Sequence, residues 1–319
     1  MEGFVLFLVI SMEVLGAAAG VLLPPPMYVF GDSLVWLRRA AKKIGLAGSP
    51  PPYLALAWSS SLVVSTALTI GGVSYASGGA GILDSTNAGN NIPLSKQVQY
   101  FNATRSKMIA AVGSGAVNTL LSRSVVLIGA GGNDLGTFYR SPPEQQSDVA
   151  TFYGSLMSNY SAAITDLYTL GARKFAITNL GLVGCLPVNG VLDTAGACSD
   201  LRNQLGAGFN DAVRNMLADL AARLPGFRYS LGDASGLMVD TFADPPASGF
   251  TDVAGECCGG DQRVDCSPNS TVCANRDHYY FWDAVHISQE AAKQRAEAFY
   301  DGPAKYTTPI NFKQLVWST

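Results

Sequence analysis

An α/β fold, with helices covering both faces of a mostly parallel sheet, is the class this sequence predicts. Three observations point to it. Short apolar runs rich in β-formers recur along the chain, stretches of helical period separate them, and two of the runs stop abruptly at glycines followed by polar side chains. A strand buried on both faces reads as an uninterrupted apolar run. Strand–helix alternation is the pattern of a parallel sheet, and such sheets place their chemistry beyond the carboxyl ends of the strands.

Met27-Tyr-Val-Phe-Gly-Asp-Ser33 opens the series as a strand that breaks at Gly31, lifting Ser33 out of the sheet edge. Leu34, Leu37, Ala41 and Ile44 then recur at helical spacing among four basic residues, and Gly45 closes that helix. Pro50-Pro-Pro52 forces a loop. Residues 53–76 alternate apolar and small polar residues, which suits a strand ending at Val73–Ser77 and running into Gly78-Gly-Ala-Gly81. Ser95 to Leu121 reads as one helix, and Ser124-Val-Val-Leu-Ile-Gly129 as a second buried strand stopping at Gly131-Gly-Asn-Asp134.

Asp148 to Leu170 carries a helical apolar stripe that ends at Gly171. The alternation continues with a strand over Lys174–Asn179, a helix over Asp200–Leu224 and a strand over Phe227–Leu231. Residues 244–277, rich in Gly, Pro, Asp and Cys, predict a loop pinned by disulfides. Tyr279–His286 follows, then a helix from Ser288 to about Phe299. The carboxyl tail offers no recognisable element.

The 319 residues, 48% of them hydrophobic, suffice for one large core. Residues 4–12 form a short apolar block. Ala17, Ala18, Ala19 and Gly20 and the Pro24-Pro-Pro26 break follow it, so residues 1–20 read as a secretory signal peptide and 21–319 as one domain. The alternative is a buried amino-terminal helix. No apolar run reaches the ~20 residues of a membrane span, so no transmembrane segment is expected. With a net charge of −3 and no basic run, the chain has no electrostatic footprint for nucleic acid.

Six cysteines, all after residue 184, fit an oxidising compartment and an extracellular location. Six thiols allow 15 pairings, and spacing does not choose among them. Zinc is the rival, without paired Cys-x-x-Cys units to support it. Asn102, Asn159 and Asn269 head glycosylation acceptor triplets. The glycines at 78–81 match neither a P-loop nor a dinucleotide fingerprint, so no cofactor is expected.

A serine hydroxyl becomes a strong nucleophile beside a base, ordinarily histidine. The chain has two histidines. His286 follows Asp283 by three residues, a spacing that lets the carboxylate orient the ring, whereas His278 sits in the cysteine-rich stretch and reads as exposed. Ser33, Gly79 and Asn133 each follow a predicted strand. The amides of Ser33 and Gly79 and the side chain of Asn133 are therefore candidate donors to a developing oxyanion.

Phe30-Gly-Asp-Ser-Leu34, Tyr75-Ala-Ser-Gly-Gly-Ala-Gly-Ile82, Gly132-Asn-Asp134 and Phe281-Trp-Asp-Ala-Val-His286 resemble, in order, the four blocks of the plant-type GDSL esterase/lipases of the SGNH hydrolase superfamily. Leu182-Val-Gly-Cys-Leu-Pro187 and Cys257-Cys-Gly-Gly260 are similar to that subfamily too. The resemblance runs from about Pro24 to Ala304. It implies a three-layer α/β/α, flavodoxin-like fold and a secreted, glycosylated carboxylic-ester hydrolase that needs no metal; separately, a monomer is expected. By position it implies Ser33 as nucleophile, His286 as base and Asp283 as its partner, with an oxyanion hole of Ser33, Gly79 and Asn133; Gly78 replaces Gly79 if the register slips by one. The small-molecule or lipid ester that such an enzyme takes is not legible.

Two departures stand out. The family's block continues past the serine with Asp or Asn, Gly and a long loop, but here Val35 passes directly into Trp36-Leu-Arg-Arg39. Ile287-Ser288 replaces the usual Pro-Thr. The primary expectation is an active serine esterase. The shortened segment motivates an alternative: a secreted binding or defence glycoprotein whose site is impaired.

Overall fold

The first strand is buried on both sides: Tyr28 and Phe30 pack into one apolar cluster, Met27 and Val29 into another. That two-sided burial organises the molecule. The computed structural model describes residues 24–33, 41–69, 71–190, 198–259 and 266–318. The main elements are β1 (Met27–Gly31), α1 (Ser60–Leu68), α2 (Leu94–Val112), α3 (Ser114–Arg123), β2 (Val125–Gly129), α4 (Gly132–Tyr139), α5 (Val149–Thr169), β3 (Lys174–Thr178) and α6 (Asp200–Arg223). They continue with β4 (Arg228–Gly232), α7 (Ala234–Ala243), β5 (Asp252–Glu256), β6 (Tyr279–Phe281), α8 (Gln289–Asp301), β7 (Thr307–Thr308) and α9 (Phe312–Trp317).

The strands β1, β2, β3 and β4 lie side by side and parallel, and β7 adds antiparallel to β4. Outside β1, residues 73–77 run parallel to it: the Val29 and Tyr75 amides bond to the Val73 and Val29 carbonyls at 3.1 and 2.7 Å, with a bridge at Ser74. Counting that segment as a short second strand gives the flavodoxin-like order 2-1-3-4-5. The point where the order reverses lies beside β1, the crevice position such sheets use.

Helices α1, α2, α3, α5 and α6 cover the face that Tyr28, Phe30, Val126, Ile128 and Phe175 present. Helices α8 and α9 cover the Met27, Val29 and Leu127 face. This is the three-layer α/β/α arrangement, and it explains why the strands carry no polar alternation.

Three expectations change. Residues 53–68 are helical rather than extended: Ser59 caps α1 by accepting from the Leu62 amide, and Val63, Ala67 and Leu68 share its buried side. Gly113, at φ +84°, divides the expected 95–121 helix into α2 and α3. The tail is ordered as well, with Phe312, Leu315 and Val316 buried and the buried Lys174 donating to the Val316 and Ser318 carbonyls at 2.9 and 2.6 Å. Helix α7 had no counterpart in the expectations. The helix expected over Leu34–Gly45 falls mostly outside the described residues, as do the shortened segment after Val35 and residues 1–20. Its last turn at Ala41–Lys43 is helical.

All six cysteines pair, as Cys185–Cys198, Cys257–Cys273 and Cys258–Cys266. Zinc thiolate ligation is thereby excluded. No helix among the described residues is long and apolar enough to cross a membrane.

Candidate active site

Gly31 makes the turn that presents Ser33. Its φ is +109°, and a Cβ there would lie 1.8 Å from the Gly129 carbonyl oxygen of the neighbouring strand. Only glycine lets the backbone leave the sheet at that point. Beyond it Asp32 is buried, its amide held at 2.9 Å by the Gly129 carbonyl, while Ser33 is exposed.

His286 arrives from the far end of the chain on a tight return between β6 and α8. The Trp282 amide donates to the His286 carbonyl at 2.8 Å, Phe281 bridges to Ile287, and Ser288 caps α8 by accepting from the Ala291 amide. The Cys257 and Cys258 amides donate to the Phe281 and Trp282 carbonyls, so both disulfides of the 257–273 stretch brace this return. On another side the Val188 amide donates to the Ala284 carbonyl at 2.9 Å.

The Ser33 Oγ lies 2.7 Å from His286 Nε2, and His286 Nδ1 lies 2.9 and 2.8 Å from the two oxygens of Asp283. Asp283 Oδ1 also accepts from the Val285 and His286 amides at 3.0 and 2.8 Å. Burial pushes the Asp283 carboxyl upward; the ring and the two amides outweigh that and hold it below its ordinary value. An ionised carboxylate can only accept, so Nδ1 carries the imidazole proton and Nε2 is left to accept from the serine hydroxyl.

Residues 77–92 form the other wall. The Ser77 amide donates to the Gly31 carbonyl at 3.0 Å, and a Cβ on Gly78 would stand 4.0 Å from that of Ser33. Gly79 follows at φ +76°, its carbonyl accepting from Asn87 Nδ2 at 2.9 Å. Asn133 opens α4 and spends one of its two N–H bonds on the Ala80 carbonyl at 2.9 Å. Gly131, at φ +115° against the Phe209 ring, provides the turn that starts this helix.

Ser33, His286 and Asp283 thus stand in one line, and Gly78, Gly79 and Asn133 lie on the segments bordering it. His278 does not join them: it is exposed, and its carbonyl accepts from the Thr251 amide. No group of three or more His, Cys, Asp or Glu side chains among the described residues could hold a metal ion.

Sequence reasoning missed three residues that build this wall. The buried Asp134 accepts from the Ile82 and Leu83 amides and the Thr86 hydroxyl, and burial raises its carboxyl. Asn87 sits at φ +48°, a left-handed position that asparagine tolerates. Gln97 is fully buried. The available signals were a glutamine on the apolar stripe of α2, beside Leu94, Val98 and Phe101, and the place of Asp134 in the Gly132-Asn-Asp134 block.

The family model described as GDSL-like Lipase/Acylhydrolase matches residues 27–299. A GDSL esterase/lipase of Arabidopsis thaliana is 33% identical over 274 residues, covering 84% of this chain and 75% of that protein. A second from the same plant is 30% identical over 297 residues, covering 90% and 78%. A GDSL lipase of Tanacetum cinerariifolium is 31% identical over 250 residues, covering 76% and 67%. A match that begins with the first strand and reaches into the helix after His286 takes in every segment that borders Ser33, and the chain belongs to the GDSL-like lipase/acylhydrolase family.

Proposed function

We propose that this protein is a secreted serine hydrolase of carboxylic esters. The observation that carries the reading is the unbroken line from the Ser33 hydroxyl through the His286 imidazole to the Asp283 carboxylate. His286 Nε2 takes the Ser33 proton as Oγ bonds to the ester carbonyl carbon, and the carbonyl π electrons move onto its oxygen. Collapse of that oxyanion breaks the ester C–O bond, and the alcohol leaves with the proton from His286. Water, deprotonated by the same imidazole, then attacks the acyl-serine and releases the acid, restoring Ser33.

The amides of Ser33 and Gly79 and the free N–H of Asn133 serve as the oxyanion hole. Neither amide donates to an acceptor among the described residues. Asn133→Ala is expected to lower kcat by about 10²–10³-fold. Its KM should barely move, because the bond strengthens as charge develops; steady-state kinetics on a short p-nitrophenyl ester measure both.

Base catalysis needs neutral imidazole, so kcat/KM should fall on acidification as the base gains its proton. A profile that stays flat on acidification while the protein remains folded removes His286 as the base. The three disulfides support passage through an oxidising compartment. The direct test of the function is a fluorophosphonate probe followed by peptide mass spectrometry. Covalent labelling at Ser33 is expected; folded protein that neither labels nor hydrolyses esters would instead favour the binding-glycoprotein alternative.

A further inference from the structure

We propose that Gln97 is a positioning residue, whose side-chain amide fixes the nucleophile turn against the loop that carries Gly78 and Gly79. The inference rests on Ser33 being the nucleophile. Gln97 is 0% exposed and lies in the first turns of α2. Its Oε1 accepts from the Gly31 amide at 2.7 Å, and its Nε2 donates to the Gly31 carbonyl at 2.9 Å and the Ile92 carbonyl at 2.8 Å.

The need for such a side chain follows from the topology. On the inner side of β1 the backbone is paired with β2, whose Gly129 carbonyl also holds the Asp32 amide. On the outer side, Ser77 makes the last backbone bond to Gly31, and the chain then swings away to form the crevice wall. That departure leaves the Gly31 N–H without a neighbouring strand at a fully buried position. A primary amide offers the same acceptor and donor as a peptide group, so Gln97 stands in for the missing strand.

The third bond gives the residue a role beyond filling that gap. The Ile92 amide donates to Ser77 Oγ at 3.1 Å, so a closed ring of hydrogen bonds runs from Gly31 to Gln97, Ile92, Ser77 and back to Gly31. Residues 78–91 hang from the ring as a single loop. The Leu94 amide, bonded to the Gly81 carbonyl at 3.1 Å, ties the start of α2 to the same loop. Asn133 and Asp134 anchor the middle of that loop at Ala80, Ile82 and Leu83, while Gln97 ties its return end to the nucleophile turn and so helps to set the separation between Ser33 and the Gly79 amide. A displacement of ~1 Å between reacting groups can cost 10²-fold in rate.

The test compares Gln97→Leu, which keeps bulk and removes all three bonds, with Gln97→Glu, which keeps the acceptor but faces two carbonyls with an oxygen. Ser77→Ala opens the ring at its partly exposed side. Lys174→Met, at the opposite end of the sheet, is the control for simple loss of stability. Each protein is titrated to completion with the fluorophosphonate, and kcat per labelled site, KM and the thermal midpoint are measured. Both Gln97 variants are expected to lose about 10–100-fold in kcat per labelled site with KM changed less than about threefold, and Ser77→Ala to lose a smaller, measurable part. Lys174→Met should melt earlier yet keep full turnover per site.

Folded Gln97 variants with wild-type kcat per site would overturn the proposal, leaving Gln97 a purely structural group. If both fail to fold, wild-type turnover by Ser77→Ala overturns it equally. Wild-type protein that neither labels nor hydrolyses esters is a separate outcome, and refutes the serine-hydrolase reading itself.

Discussion

Ser33→Ala is expected to lower kcat on a p-nitrophenyl ester by about 10⁶-fold while leaving the fold intact. The size follows from the chemistry. Without Oγ no acyl-enzyme forms, and what remains is the binding and oxyanion stabilisation that act on a water-driven reaction. The fold should survive because Ser33 is exposed and its side chain bonds only to His286 among the described residues. An unchanged circular dichroism spectrum with lost turnover and lost fluorophosphonate labelling is the predicted pair of results. Hydrolysis persisting at the wild-type rate would assign the chemistry elsewhere.

Asp283→Asn should cost about 10⁴-fold in kcat. The carboxylate accepts from Nδ1–H; an asparagine amide turned toward Nδ1 donates instead. It would favour the tautomer with its proton on Nε2, where it cannot take the serine proton. The same variant carries a pH signature in stability. The folded-state value of the Asp283 carboxyl is lowered, so the ionised group adds stability above its unfolded value, and that contribution is lost as pH falls through the folded value. The wild type should therefore lose part of its thermal stability on strong acidification that Asp283→Asn never had. Thermal midpoints recorded against pH for both proteins check this, and parallel curves would contradict it.

The correspondence between sequence and structure differs sharply by element. Strands β1 and β2 were readable because both faces are buried, which left apolar runs that stop at Gly31, Gly129 and Gly131. Strand β3 was readable because Phe175, Ala176 and Ile177 form a short buried run between Lys174 and Thr178. Helices α5 and α6 were readable because their apolar stripes have one buried side and clear ends. Residues 53–68 misled because small polar residues alternate there with apolar ones while the Ser59 cap starts a helix. Helix α9 is six residues long, too short for a periodic signal, and is held by packing and by Lys174.

The site divides in the same way. Ser33, Asp283 and His286 could be named because their chemistry is carried by residue type and by a three-residue spacing. Asn133 and Gly79 followed from their places at strand ends. Gln97, Asn87 and Asp134 act through backbone groups 5 to 66 residues away, and nothing in the sequence identifies those partners. The disulfide pairing was open for the same reason.

Taken alone, the amino-acid sequence determined the α/β class and the strands that carry the crevice, and it named candidate side chains for acyl-transfer chemistry, because periodicity and residue type are local properties. Only the tertiary structure decided which cysteines pair, how Ser33 and His286 come within 2.7 Å across 253 positions, and how a buried glutamine joins the two walls. Those are contacts between distant segments, fixed by how the helices pack on the two faces of one sheet.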